Sequence, residues 1–495
     1  MALDVGELKG RLWGCAKVLR GSAVDRGDWK GFILPLLFFK RICDVWDEEE
    51  AEAAAAFGPG GAARFAETHR FTVPKGCHWR DVRNRAKGVG RAIRRAMREI
   101  ERANPDSLDR IFGTADWGML GDAILKDLVE GLSGVPLGNG DVSGDIIGDA
   151  YEYLVGKFAD VTRRKKAGEF YTPRSVVRMM VQILNPKEGE SIYDPACGTG
   201  GMLLGVIDHV AGRGDPRTLY GKLYGQEKNL TTAAIARMNL MLHGIEDFQV
   251  EREDTLRNPL FRDSQTGGLR AFDCVIANPP FSLKEWGREI WESDPWGRAA
   301  YGMPSRKNGD YAWVQHMVAS MAPGKGRMAV VLPHGALFRK GAEGRIRRAL
   351  LEQDLVEAVI GLAPNLFYGA SLAGCVMILR RKKPAKRRGK VLIVNAAGLF
   401  RKGRAQNFLD EEHAAQIVRW HRSFADVPEC ARVVALEEIE REDWTLNISR
   451  YILPPMDEDI PPLPEAVAEF KRALAKARDA EGQLRRVLNE GGWLQ

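Results

Sequence analysis

The segment Phe-Asp-Cys-Val-Ile-Ala-Asn-Pro-Pro-Phe at 272–281 closes an apolar run with an amide, two prolines and an aromatic ring. Adjacent prolines fix φ and remove two backbone donors, so Asn278, Pro279, Pro280 and Phe281 make a stiff edge, not the middle of a helix or of an internal strand. At the C-terminal end of a strand, where open α/β sheets bind ligands, that edge offers an amide, carbonyls and a ring. A second stretch, Ser-Ile-Tyr-Asp-Pro-Ala-Cys-Gly-Thr-Gly-Gly at 191–201, orders a strand, an acidic residue, a glycine-rich turn and a helix. Gly198, Gly200 and Gly201 allow a sharp turn and close approach to a ligand, and free amides at the helix start favour polar or anionic groups. The spacing is neither that of a P-loop nor the GxGxxG fingerprint. The next strand ends in Glu227, where a carboxylate accepts hydrogen bonds from ribose hydroxyls, and the third ends in Asp254, positioned to meet an adenine amine. Four consecutive strand ends carry groups suited to a nucleoside-bearing ligand.

The elements that must position these groups divide the chain into three parts. Residues 1–147 carry apolar side chains at helical spacing, as in Trp-Lys-Gly-Phe-Ile-Leu-Pro-Leu-Leu-Phe-Phe at 29–39, and are expected to form an all-helical domain. From 148 to 400, short apolar strands alternate with helical segments, the pattern of an α/β fold with a mostly parallel, doubly wound sheet of Rossmann-like type. Residues 401–495 form a C-terminal helical extension, in which the proline-rich 452–466 is a linker. A last helix follows it, with Val467, Phe470, Leu474, Leu484 and Val487 on its apolar positions, suited to docking on a partner.

A chain of 495 residues with 45% hydrophobic and 28% charged residues is globular, not fibrous or disordered. Pro35 and the flanking Lys30 and Lys40 exclude 31–39 as a membrane span, Asp4 and Glu7 interrupt any signal-peptide pattern, and a cytoplasmic protein is expected. The seven cysteines show no CxxC pair and no zinc spacing, so reduced thiols and no metal are expected. A net charge of +7 is modest, but basic residues gather at 83–98, 162–166 and 380–390, which together suit a polyanion.

The order of motifs resembles the S-adenosyl-L-methionine-dependent amino-methyltransferases. Asp194, Ala196, Gly198, Thr199, Gly200 and Gly201 match the family's glycine turn, and Asn278 to Phe281 match its Asn/Asp-Pro-Pro-aromatic motif. The segment Ala-Gly-Glu-Phe-Tyr-Thr-Pro-Arg at 167–174 resembles the family's Phe-Thr-Pro segment; the resemblance implies cofactor contacts from Glu169, Phe170, Tyr171, Thr172, Pro173 and Arg174, together with Glu227. Because this segment precedes the glycine turn, the order is that of the gamma group of DNA adenine methyltransferases. Residues 12–46, 148–159, 308–317 and 327–352 extend the resemblance to the modification subunit of type I restriction-modification systems. It implies duplex DNA as substrate, a separate specificity subunit that reads the site, and a second copy of this chain in the complex. Whether a restriction (translocase/nuclease) subunit joins is left open.

The adenine 6-amine is a poor nucleophile because its lone pair is delocalised into the ring. The Asn278 amide oxygen and the Pro279 carbonyl can accept its two hydrogens and aim the lone pair at a sulfonium methyl, with Phe281 offering a face for a flipped base. No enzyme nucleophile is needed; Cys197, Cys274, His316 and His334 are expected to be structural. Two rivals stand beside this reading: the same motif acting on an amine in RNA or on a glutamine amide, and a scaffold with a vestigial site.

Overall fold

In the computed structural model, residues 4–58, 69–142, 144–162, 172–367, 373–404, 406–453 and 462–493 are described. They form two compact units, 1–451 and 452–495.

Seven helices open the first unit: α1 (Val5–Ala16), α2 (Lys30–Phe57), α3 (Trp79–Arg83), α4 (Val89–Ala103), α5 (Pro105–Leu108), α6 (Asp122–Ser133) and α7 (Gly144–Thr162). α2 is buried along its first half from Phe32 to Cys43. It tolerates Pro35 one turn in, where the ring removes a single intrahelical bond. Among the described residues no helix is long and apolar enough to cross a membrane. In α4 the buried positions Val89, Ile93, Ala96, Met97 and Ile100 recur every three or four residues, so the intervening arginines face outward.

The sheet has nine strands in the order β3-β2-β1-β4-β5-β7-β6-β8-β9: β1 (Ile192–Asp194), β2 (Leu223–Glu227), β3 (Gln249–Arg252), β4 (Cys274–Ala277), β5 (Arg327–Pro333), β6 (Val356–Leu362), β7 (Gly374–Arg380), β8 (Lys390–Ala396) and β9 (Ala431–Ala435). β1 to β5 run parallel; β7 is antiparallel to both β5 and β6, and β9 is antiparallel to β8. The order reverses at β1 and β4, the switch point at which doubly wound sheets bind ligands. The central strands β4, β5 and β6 are buried along their whole length, which is why they read as continuous apolar runs.

On one face Ile192, Cys274, Ile276 and Ala329 pack under α8 (Arg174–Leu184), α9 (Gly201–Ala211), α10 (Leu230–Leu242) and, further along the sheet, α14 (Glu411–Ser423). The other face meets α12 (Asp310–Ala319), where the Tyr193 hydroxyl lies 3.2 Å from His316 Nε2. The remaining helices of this unit are α11 (Arg288–Trp291), α13 (Ala342–Glu352), α15 (Leu436–Arg441) and α16 (Ile448–Tyr451). α10 is apolar on two sides: Ala236 and Leu240 join the core under the sheet, while Ile235, Met238, Met241 and Leu242 join the core of the N-terminal helices.

Two elements cross the expected domain boundaries. The boundary at 147 cuts α7, whose Ile147, Tyr151, Leu154 and Phe158 pack in the N-terminal core. The one at 400 cuts the sheet, because β9 lies beyond it and pairs with β8. β9 is short and half-exposed, which hid it among the helical signals around it. The second unit contains α17 (Leu463–Glu490), exposed along its length and including Phe470, Leu484 and Val487. Most of the proline-rich linker, 454–461, lies outside the described residues.

Candidate active site

At the end of β1 the chain turns through Pro195 to Gly200 and enters α9. Gly198 and Gly200 have φ of +53° and +84°, the left-handed region that favours glycine. A Cβ on Gly198 or Gly201 would meet no atom within 4 Å, so both leave open space beside the turn. The turn is held from behind, where Asn239 of α10 donates through Nδ2 to the Thr199 carbonyl (3.0 Å) and Thr255 Oγ1 donates to the Pro195 carbonyl (2.6 Å). Asp194 turns inward, 1% exposed, and accepts from the Ala196 amide at 3.0 Å. Burial, reinforced by the charge of Glu227, pushes its carboxyl up to about 8.

Glu227 ties the tip of β2 to this turn: Oε2 accepts from the Gly198 amide (3.1 Å) and Oε1 from the Asn229 amide (2.7 Å). Asp254 faces Lys228 Nζ at 2.9 Å and Arg257 Nε at 3.7 Å. Both carboxylates line a cavity of about 560 Å³, together with Ala196, Gly198, Thr199, Asn278 and Pro280. A smaller recess of about 60 Å³ shares Ala196, Gly198, Thr199 and Asn278 with it and adds Thr172, Arg174, Asp194 and Gly201.

Asn278 stands at the end of β4. Its Nδ2 donates to Thr172 Oγ1 at 2.8 Å, which fixes the amide plane, while its Oδ1 is buried with no partner among the described residues. A buried acceptor left unpaired costs about 1–3 kcal/mol, the mark of a group awaiting a ligand. Pro279 is buried and Pro280 forms part of the cavity wall. Phe281 is half-buried and meets Phe367 edge-on, centroids 6.0 Å apart. Beyond it, Ser282 takes φ +52° and its amide donates to Asp310 Oδ1 at 2.8 Å, so the first residue of α12 anchors the exit of the motif.

The structure therefore gathers Thr172, Arg174, Asp194, Ala196, Gly198, Thr199, Gly201, Glu227, Asp254, Asn278 and Pro280 around one pair of cavities. Pro173 is the N-cap of α8 next to them, and Arg174 pairs with Asp149 at 3.1 Å. Glu169, Phe170 and Tyr171 lie outside the described residues. Cys197 and Cys274 are buried; burial raises both thiols, Cys274 to about 11, so neither is a ready nucleophile. His316 and His334 are buried or half-buried with lowered affinity for protons.

Sequence reasoning missed several wall residues. Trp313 of α12 lines the larger cavity with its Nε1 buried and unpartnered among the described residues, and Thr232 Oγ1 of α10 is in the same condition. Trp286 and Trp291, between β4 and α12, form a small core with Leu256, which follows β3, and with Ala312 and Trp313 of α12, and this packing fixes the indole in place. Lys30 and Val155 bring the N-terminal helices into the wall. The signal was available: Trp313 sits within Asn-Gly-Asp-Tyr-Ala-Trp-Val-Gln-His-Met at 308–317, a run noted for its resemblance without any single residue being singled out.

The profile of the N-6 DNA methylase family matches residues 142–459, and that of the HsdM N-terminal domain matches 8–132. The MjaIX methylase subunit of a type I restriction enzyme from Methanocaldococcus jannaschii is 30% identical over 98% of this chain and 90% of its own length. The MjaVII methylase subunit of the same organism is 36% identical over 68% of this chain; the match spans only 58% of that longer relative. Among solved structures, the methyltransferase subunit of a type I restriction-modification system from Streptococcus thermophilus superposes with a TM-score of 0.78 at 30% identity, covering 91% of this chain and 100% of that one.

Proposed function

We propose, on the premise that this chain belongs to the N-6 DNA methylase family as a type I restriction-modification methylase subunit and is an adenine-specific DNA methyltransferase, that Asn278 and its neighbours methylate the adenine 6-amine with S-adenosyl-L-methionine. The observation that carries the reading is the Asn278 amide: one end held by Thr172, the other an unpaired acceptor at the junction of two cavities.

The residues present suit the cofactor. Gly198 and Gly201 leave space that any Cβ would fill, the Glu227 carboxylate stands at the tip of β2 for ribose hydroxyls, and the Trp313 indole and Thr232 hydroxyl offer unpaired polar groups to the same space. Asp254 and the recess residues Thr172, Arg174 and Asp194 complete the proposed contacts. When bound, S-adenosyl-L-methionine supplies an electrophilic methyl on a sulfonium. An adenine taken out of the duplex presents its amine to Asn278 Oδ1 and the Pro279 carbonyl, which accept its two hydrogens and free the lone pair for attack. Pro279 and Pro280 keep these acceptors rigid, so no reorganisation is required at the moment of transfer. Phe281, set edge-on to Phe367, offers an aromatic ring to the base.

We further propose a cytoplasmic assembly in which a specificity subunit selects the DNA site, a second copy of this chain acts on the other strand, and α17 docks through Phe470, Leu474 and Val487. The test is methyl transfer from labelled cofactor to unmethylated genomic DNA, by this chain alone and with its specificity subunit, followed by identification of the modified base. 6-Methyladenine that disappears in Asn278→Ala while cofactor binding persists is the expected result. Unchanged turnover in that variant, or an RNA or protein acceptor, would overturn it.

A further inference from the structure

The three basic runs of the sequence have different fates. The run at 380–390 is partly consumed inside the fold: Arg380 and Arg387 pair with the buried Glu357, and Lys383 is 3% exposed and bonded to Asp354 at 2.6 Å, while Lys382, Lys386, Arg388 and Lys390 stay exposed around a short turn. The run at 162–166 lies almost wholly outside the described residues. The run at 83–98 differs in setting its cations along one face of a regular helix: it builds α4 and the turn before it.

Arg91, Arg95, Arg98 and Arg102 are all exposed on α4 at spacings of four, three and four residues. At 100° per residue they fall within an arc of about 60°, and at 1.5 Å per residue they span roughly 16 Å along the axis. Their backs are fixed, because Val89, Ile93, Met97 and Ile100 on the opposite side are buried. Nearby cations are neutralised: Arg80 by Asp47, Arg83 by Glu130, Arg94 by Asp116 and Arg102 by Glu99. Among the described residues no hydrogen bond or ion pair engages the side chains of Arg85, Lys87, Arg91, Arg95 or Arg98.

Helix stability does not account for this arrangement. Three of the five cations, Arg85, Lys87 and Arg91, surround the N-terminal end of α4, where the helix dipole disfavours positive charge, and the first turn contains no acid. The end is capped instead by Asp122 of α6, which accepts from the Gly88 and Val89 amides at 2.8 and 2.9 Å.

We propose that the outward face of α4, with Arg91, Arg95 and Arg98 at its centre and Arg85 and Lys87 at its head, is a track for the phosphate backbone of duplex DNA, separate from the cavity that receives the target base. This rests on the DNA-methyltransferase reading above. Each strand of duplex DNA carries one charge per about 3.4 Å of axis, still denser than a stripe of one guanidinium per roughly 5 Å, so a track along the backbone offers each guanidinium a phosphate. Such contacts position the duplex and read no sequence, which agrees with a chain whose specificity is supplied by another subunit.

The test is the salt dependence of DNA binding by the complex of this chain with its specificity subunit, comparing wild type with the triple variant Arg91→Gln/Arg95→Gln/Arg98→Gln. All three positions are exposed, so the fold should survive, checked by cofactor titration and melting. The slope of log affinity against log salt should fall by about 3, which integrated from 1 M salt amounts to roughly a hundredfold weaker binding near 0.15 M. KM for DNA should rise while kcat at saturating DNA stays constant, and Arg→Lys at the same positions should restore the slope. An unchanged slope overturns the inference, as does a loss that follows dissociation of the specificity subunit, which would make α4 a protein interface. Failure of wild type to act on DNA would instead refute the functional reading beneath it.

Discussion

Thr172→Val tests the arrangement at Asn278 without altering shape. The hydroxyl accepts from Asn278 Nδ2 at 2.8 Å, and the substituted methyl occupies the same volume without accepting. The amide then has no partner at either end, and rotation by half a turn, which would place Nδ2 where the adenine amine needs an acceptor, is no longer opposed. A buried neutral hydrogen bond left unmade costs about 1–3 kcal/mol. Taking about 1.4 kcal/mol per tenfold in rate, kcat should fall by roughly 5- to 150-fold, near tenfold if the amide finds water. Asn278→Ala, which removes the acceptor itself, should cost about 10² to 10³. The assay is single-turnover methyl transfer at saturating DNA and cofactor, with cofactor affinity measured separately. Thr172 lines the cofactor recess as well as holding Asn278, so at saturating cofactor the loss that remains should lie in the chemical step. A wild-type rate in Thr172→Val, or a loss confined to cofactor affinity, would refute the argument.

Trp313→Phe retains the ring and removes only the buried, unpartnered indole N–H, so melting should be unchanged or slightly improved, while cofactor affinity measured by calorimetry falls about fivefold to tenfold. Asp194 titrates near 8 when folded and near 3.8 when unfolded, so its two states hold the proton alike below 3.8 and lose it alike above 8. Between these values the unfolded chain has released the proton and the folded one retains it; stability therefore falls as pH rises, by about 1.4 kcal/mol per unit at most, and Asp194→Asn should flatten that part of a melting-against-pH curve. Glu357 behaves oppositely: contacts with His421, Arg380 and Arg387 outweigh burial and hold its carboxyl well below the ordinary value, so its contribution is present above about pH 4.5 and is lost on acidification. Glu357→Gln leaves two half-buried arginines without their carboxylate and should cost about 1–3 kcal/mol in denaturant unfolding.

Eight of the nine strands and the glycine turn were legible because local chemistry dictated them. Val-Ile-Ala before two prolines permits little else, and Gly198 and Gly200 do adopt left-handed φ. Asp194 and Asp254 carried the right residue types, but their surroundings were invisible: the first folds onto its own turn, where burial by the surrounding sheet and helices raises its carboxyl, and the second faces Lys228 from another strand end. Lys30 was illegible as a wall residue, since its role depends on helices far apart in sequence converging on one cavity, and for Trp313 the run at 308–317 marked the neighbourhood while only packing shows which of its residues faces the cavity. β9 was hidden because its partner strand, not its own pattern, makes it a strand.

The two-sided helix α10 has a consequence for how the chain could have been assembled from parts. A methyltransferase sheet separated from the N-terminal helices would expose Ile235, Met238, Met241 and Leu242, worth on the order of 6–12 kcal/mol of apolar burial as an upper bound. That rivals the whole stability of an ordinary domain. The same helix holds the glycine turn through Asn239, so melting of the N-terminal helices and loss of the ligand-binding turn become one cooperative event. The helical part is therefore not a removable accessory but half of a single folding unit, and any exchange between relatives that keeps the protein alive must carry α10 along with it.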